Sequence, residues 1–165
     1  MPTSIEVAQA SSPDLVALAR ELFREYEHAI GVDLEYQGFA AELAALPLPY
    51  APPDGALLVA TVGGSTAGCV ALRRIGAHVC EMKRLYVRPT CRGMRLGERL
   101  VGEIIDHARR AGYQEIRLDT LPSMTSAQGL YRRLGFREIP AYNDAHLPGT
   151  LFFALALEGR DSQPD

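Results

Sequence analysis

Between residues 92 and 100 the chain reads Arg-Gly-Met-Arg-Leu-Gly-Glu-Arg-Leu, a spacing suited to holding an anion. Gly93 and Gly97 carry no Cβ, so the backbone can approach a ligand closely. Arg92, Arg95 and Arg99 add positive charge. An amphipathic run begins at Leu96, and a helix start offers unpaired N–H groups and a partial positive charge. With a strand leading in, this makes a site for a pyrophosphate; an ordinary basic helix start is the alternative. The pattern GxxxxGK[ST] is absent and so is GxGxxG, which removes a nucleotide kinase and a dinucleotide fold from consideration.

The charge distribution agrees. Residues 83–110 hold eight Lys/Arg and three acids, a local +5 in a chain of net −3. A basic island in an acidic chain suggests a small polyanionic ligand rather than nucleic acid, which prefers a broadly basic domain. A solvated helix face accounts for part of it.

The segment before the loop, CEMKRLYV (80–87), has a phase slip. Apolar residues fall at Cys80 and Met82, then at Leu85 and Val87. A side-chain period of two cannot change from even to odd positions unless a residue is inserted. A β-bulge near Lys83-Arg84 supplies it and splays the strand from its neighbour, leaving backbone groups free for an extended ligand arm. A strand buried on both faces is the alternative.

These features need elements to position them. Ile5–Ala8 predicts a strand, and Ser12-Pro13 caps a helix whose apolar face (Leu15, Leu18, Ala19, Leu22, Phe23, Tyr26) ends at Gly31. A second helix is expected over Tyr36–Leu46, then a Pro-rich loop at 46–55. Runs at 56–62 and 66–75, joined by Gly63-Gly64-Ser65, predict a hairpin. After the strand at 78–87 come a helix ending at Gly112, a strand at 115–120, a helix at 125–134 and strands at 136–141 and 150–158. The fold class is α/β (α+β): a mixed, mostly antiparallel sheet in the order β-α-α-β-β-β-α-β-α-β-β, with helices on both faces. At 165 residues and 47% hydrophobic, this is one domain with a core over about 3–158 and a disordered tail at 159–165.

The sequence resembles the GNAT superfamily of acyl-CoA N-acyltransferases. The matching stretches are MKRLYVRPTCRGMRLGERL (82–100) and SAQGLYRRLGF (126–136). The first is similar to the family's Q/R-x-x-G-x-G/A motif, with Arg92 first and Gly97 last; the second is similar to A-x-x-L-Y-x-x-x-G-F. Two positions depart: the middle Gly is Arg95, and an Asn often found three residues before the helix-motif Ala is Met124. The resemblance implies acetyl transfer from acetyl-CoA to a primary amine of a small-molecule or amino-acid-like acceptor by direct attack, without a metal. It implies that Arg92, Gly93, Met94, Arg95, Leu96, Gly97 and Glu98 hold the pyrophosphate. It also implies that Leu85, Tyr86 and Val87 hold pantetheine and polarise the thioester carbonyl, favouring an oxyanion.

By the same resemblance Glu81 stands where a carboxylate base stands, and Tyr131 where the donor to the CoA sulfur stands. Apolar flanks, Cys80 and Met82, favour a raised Glu81 pKa; an edge carboxylate paired with a neighbouring Arg is the alternative. A phenol of pKa ~10 keeps its proton at neutral pH, as a donor needs; core packing beside Leu130 and Leu134 is the alternative for Tyr131. The helix pair 13–46 is expected over the acceptor side, with Tyr36, Tyr50, Arg73, Tyr86 and Tyr142 as lining candidates. Cys69, Cys80 and Cys91 show no disulfide or zinc spacing and are expected to be structural; the four histidines show no ligand spacing. The absence of a signal peptide pattern and of an 18-residue apolar stretch predicts a soluble cytoplasmic protein with no membrane partner. The final strand, apolar on both faces, fits a sheet junction or a homodimer seam. A CoA-binding sensor without catalysis is the competing function.

Overall fold

The computed structural model describes residues 4–157, so the tail expected at 159–165 and the limits 3 and 158 lie outside the described residues. Strand β1 (Ile5–Gln9) leads into helix α1 (Pro13–Ile30). Ser12 caps α1 by accepting from the Leu15 N–H at 3.2 Å, and Gly31, at φ 67°, ends it. The second helix expected over 36–46 is divided. A 3-10 turn at Leu34–Gln37 stops at Gly38, whose φ of 74° breaks the helix, and α2 covers Phe39–Ala45. Then follow β2 (Ala56–Val62), β3 (Ser65–Arg74), β4 (Val79–Val87), α3 (Leu96–Arg110), β5 (Glu115–Thr120), α4 (Thr125–Arg133), β6 (Arg137–Ile139) and β7 (Leu151–Ala156). The order is the one expected. Strand β6 is shorter than 136–141 because Pro140 has no N–H to pair. The β2–β3 turn is Gly63-Gly64 with φ of 59° and 85°, the positive values that a two-residue hairpin requires.

The seven strands form one sheet in the order β1-β2-β3-β4-β5-β7-β6, antiparallel throughout except for the β4–β5 pair. The final strand β7 thus lies at an interior junction of the sheet. Two cores form on its two faces. On one, the α3 stripe (Leu96, Leu100, Val101, Ile104, Ile105, Ala108) and Leu130 and Tyr131 of α4 bury against Leu58, Val70 and Met82. Each large aliphatic so buried stabilises by about 1.5–3 kcal/mol. On the other, Ala19, Leu22 and Phe23 of α1, with Leu34 and Phe39, cover Leu57, Val59, Cys69 and Ala71. Among the described residues no helix is long and apolar enough to cross a membrane.

The phase slip in β4 is a bulge. Its register with β3 shifts between the pairs Cys69–Tyr86 and Ala71–Lys83, and Arg84 takes φ 62°. Cys80, Met82, Leu85 and Val87 consequently share one core, while Tyr86 joins the other. Strand β4 pairs with β5 only through Val79, Cys80 and Glu81; from Met82 to Val87 no described residue of β5 pairs with it. The two strands diverge there. Gly68, opposite Val87, permits the close β3–β4 approach on the other side: a Cβ there would meet the Tyr86 carbonyl oxygen at 2.5 Å.

Arg84 is buried at the bulge, and its guanidinium meets the Glu42 carboxylate of α2 through two hydrogen bonds of 3.0 and 2.7 Å. Tyr50 donates a further 2.8 Å bond to Glu42. Burial alone would raise the Glu42 pKa, but Arg84 outweighs it and holds the carboxyl below the ordinary 4.5. A depressed folded value means that the pair's stabilisation is complete above about pH 4.5 and is lost as pH falls through the lower folded pKa. Glu42→Gln, which leaves the Arg84 charge buried without its counterion, should cost about 3 kcal/mol at pH 7. Urea midpoints should fall between pH 5 and pH 3 more steeply for the natural protein than for the variant.

Candidate active site

The divergence of β4 from β5 opens a cleft of about 770 Å³. One wall is the free β4 edge, Leu85, Tyr86 and Val87; the others are the loop 91–98 and the start of α4 from Ser123 to Ala127. Tyr26, Ala29 and Ile30 of α1 close the inner side. Arg95 takes φ 58° and ψ 27° at the start of α3 without a side-chain cap bond. It therefore keeps the left-handed turn expected of a glycine, at a strain of about 1–2 kcal/mol. The first intrahelical bond runs from the Arg99 N–H to the Arg95 carbonyl, so the amides of Leu96, Gly97 and Glu98 remain free for an anion.

Of the residues expected around the ligand, Leu85, Tyr86, Val87, Arg92, Gly93, Arg95, Leu96, Gly97 and Glu98 line the cleft together. Met94 does not line it and is 41% exposed. Arg92 folds back and donates to the Val87 carbonyl at 3.3 Å. Arg88 ties the end of β4 to α1 by two bonds to Glu25, at 3.0 and 2.7 Å. Met124 stands at the α4 N-cap with no side-chain cap bond, and it borders the cleft.

Tyr131 is buried beside Phe136 and Phe153. It borders a narrow space with Leu85, Met124 and Asp119, between β4 and β5 just beyond the point where they stop pairing. Burial pushes its phenol well above the usual value, so the hydroxyl stays protonated.

Glu81 takes the second of its two expected arrangements, the pair with a neighbouring Arg. It is 2% exposed and lines neither the cleft nor the smaller cavity on the α2 side. Its Oε1 accepts from Arg73 at 2.8 Å and its Oε2 from Tyr142 at 2.5 Å. The apolar flanks Cys80 and Met82 belong to the opposite face of β4, so they do not surround the carboxylate. This is the paired arrangement, and it makes Glu81 an anchor for two side chains rather than a carboxylate facing an open site.

On the α2 side lies a second cavity of about 230 Å³, bordered by Gln37, Tyr50, Arg73, Lys83, Asp119 and Asn143. Tyr50 and Arg73 are there as expected. Tyr36 borders a neighbouring narrow space, Tyr86 belongs to the cleft, and Tyr142 reaches Glu81. Sequence reasoning missed Lys83, Asp119 and Asn143. The signal for Asp119 was present: Ile116, Leu118 and Thr120 alternate inward on β5, which turns Arg117 and Asp119 to the other face. Cys69 donates to the Arg84 carbonyl at 3.4 Å, a structural role at the bulge. Among the described residues no group of three or more His, Cys, Asp or Glu is close enough to hold a metal.

Known proteins share this architecture. The family model described as "Acetyltransferase (GNAT) family" matches residues 15–136. An uncharacterized N-acetyltransferase of Schizosaccharomyces pombe is 38% identical over 158 residues, covering 94% of this chain and 97% of its own. N-acetylaspartate synthetase of Danio rerio is 30% identical over 128 residues, 75% of this chain and 45% of its own length. The structure of a putative acetyltransferase from Salmonella typhimurium with its cofactor acetyl-CoA superposes with a TM-score of 0.67 at 21% identity, covering 98% of both chains. A bulged β4, a free strand edge and an uncapped α3 start thus occur in a chain whose sequence matches along most of its length, and the chain belongs to the GNAT acetyltransferase family.

Proposed function

We propose that this protein transfers the acetyl group of acetyl-CoA to the primary amine of a small-molecule or amino-acid-like acceptor, by direct attack of the amine on the thioester. The observation that carries this reading is the splay itself. It exposes an unpaired β4 edge from Met82 to Val87 directly before an uncapped, Arg-flanked helix start. A pyrophosphate fits the amides of residues 92–98, and an extended pantetheine arm fits the β4 edge as an added strand. A thioester carbonyl on that edge meets backbone N–H donors, which stabilise the oxyanion of the tetrahedral intermediate. Tyr131, protonated and at the inner end of the splay, supplies a proton to the departing sulfur. Glu81 holds Tyr142 and also Arg73, which borders the smaller cavity where the acceptor would sit. Two of the similar proteins support donor and acceptor class: one structure contains acetyl-CoA, and one relative's name specifies an acetylated amino acid.

The direct test is incubation with acetyl-CoA and a panel of small amines, with product mass and free CoA followed together. One acetyl gained on an amine, with one CoA released per product, is expected. Tight acetyl-CoA binding without transfer to any amine would replace the enzyme with a CoA-binding sensor. Tyr131→Phe should lower kcat by about a hundredfold with acetyl-CoA affinity retained, within the range for a lost general acid; an unchanged kcat removes the donor role. Glu81→Gln should raise the acceptor KM more than it lowers kcat, because Arg73 and Tyr142 lose their anchor. A loss confined to kcat, deepening below neutral pH, would return Glu81 to the role of base.

A further inference from the structure

Four charged side chains border the acceptor-side cavity, Glu42, Arg73, Lys83 and Asp119, and two of them are already matched. Arg73 is paired with Glu81 at 2.8 Å, and Glu42 with Arg84 at 2.7 Å. Lys83 and Asp119 remain. Both border the cavity, one from β4 and one from β5, and neither takes part in a salt bridge among the described residues. Lys83 donates only to the neutral Gln37 side chain, at 3.2 Å. Both groups are desolvated: burial lowers the Lys83 pKa and raises that of Asp119. A cation and an anion held apart across a partly dry cavity stabilise little by themselves and suit a ligand that carries both opposite charges. The volume, about 230 Å³, is below the ~300–1,000 Å³ of drug-sized pockets and suits a small metabolite. The matched pairs leave no surplus of acid for a polyamine.

Building on the N-acetyltransferase reading above, we propose that the acceptor is an amino acid or a similar small zwitterion. Lys83, with Arg73 beside it, holds the carboxylate, and Asp119 holds the ammonium and takes its proton. Asp119 also borders the narrow space formed with Leu85, Met124 and Tyr131, so an ammonium on it stands at the seam between acceptor cavity and cleft. One ammonium proton passes to Asp119, and the freed lone pair forms the C–N bond at the thioester carbonyl. The C–S bond then breaks with its electron pair on sulfur. The attacking nitrogen's second proton leaves as sulfur gains one, giving amide and CoA thiol, and Asp119 returns its proton to solvent.

The test compares α-amino acids with their α-amides and decarboxylated amines under the same acetyl-CoA conditions. The acids should be acetylated with kcat/KM about tenfold or more above both analogues, the scale of one charged hydrogen bond. Lys83→Met should reduce that preference about tenfold, chiefly through KM, and Lys83→Arg should restore it. Asp119→Asn should lower kcat about a hundredfold, with acetyl-CoA titration confirming that the variant is folded. Equal turnover of acids and amides by the natural protein would overturn the carboxylate site and leave the N-acetyltransferase standing. Acetylation of no amine would overturn both, and natural kcat in Asp119→Asn would overturn the proton transfer.

Discussion

At Arg84 the β4 backbone enters the left-handed region, at φ 62°, and its guanidinium is buried against Glu42. Neither feature is stable alone. The turn costs about 1–2 kcal/mol for a residue with a Cβ, and a buried guanidinium without a partner costs several kcal/mol. Together they close: the bulge aims the side chain at α2, and the Glu42 carboxylate, steadied by Tyr50, receives it through two hydrogen bonds. The rings of Phe39 and Tyr26 lie 5.2 and 5.9 Å from the guanidinium carbon and complete its surroundings. The carbonyl of Arg84 accepts from Cys69. The extra residue is thus locked in place from α1, α2 and β3 at once.

What depends on this lock is the direction in which β4 leaves β5. After Glu81 the two strands no longer pair, and the same gap serves both faces of the sheet. The cleft of about 770 Å³ runs between α1, α3 and α4, and the smaller cavity lies beneath α2. Asp119 and Lys83 border both the smaller cavity and the narrow space leading toward Tyr131. On the proposed reading, donor and acceptor meet where these strands part. A straight β4 would pair with β5 along its length and close that passage.

The element order and the bulge were legible because each follows from local periodicity. The shift from Cys80–Met82 to Leu85–Val87 identifies an inserted residue, and Ser12-Pro13 and Gly63-Gly64 mark their cap and turn by residue type. The cleft residues were legible because a loop between a strand and its following helix is contiguous in sequence. Gly38 divided a helix that the apolar pattern continued through, since the pattern carries no information about its φ. Which of its two arrangements Glu81 takes was not legible for a related reason. Its sequence neighbours Cys80 and Met82 point to the opposite face, and the residues that surround its carboxylate, Arg73 and Tyr142, come from 8 and 61 positions away.

That last distance shows what decides the role of a charge in this site. Arg73, Glu81, Arg84 and Glu42 look as reactive in the sequence as Lys83 and Asp119 do. The difference is that the first four neutralise one another in two pairs of 2.7–2.8 Å. A paired carboxylate has its lone pairs occupied and its charge compensated, so it orients neighbours more readily than it accepts a substrate proton. A desolvated carboxylate without a salt bridge, such as Asp119, binds a proton more readily than one in water, because burial penalises its anion more than Lys83 and Asn143 favour it.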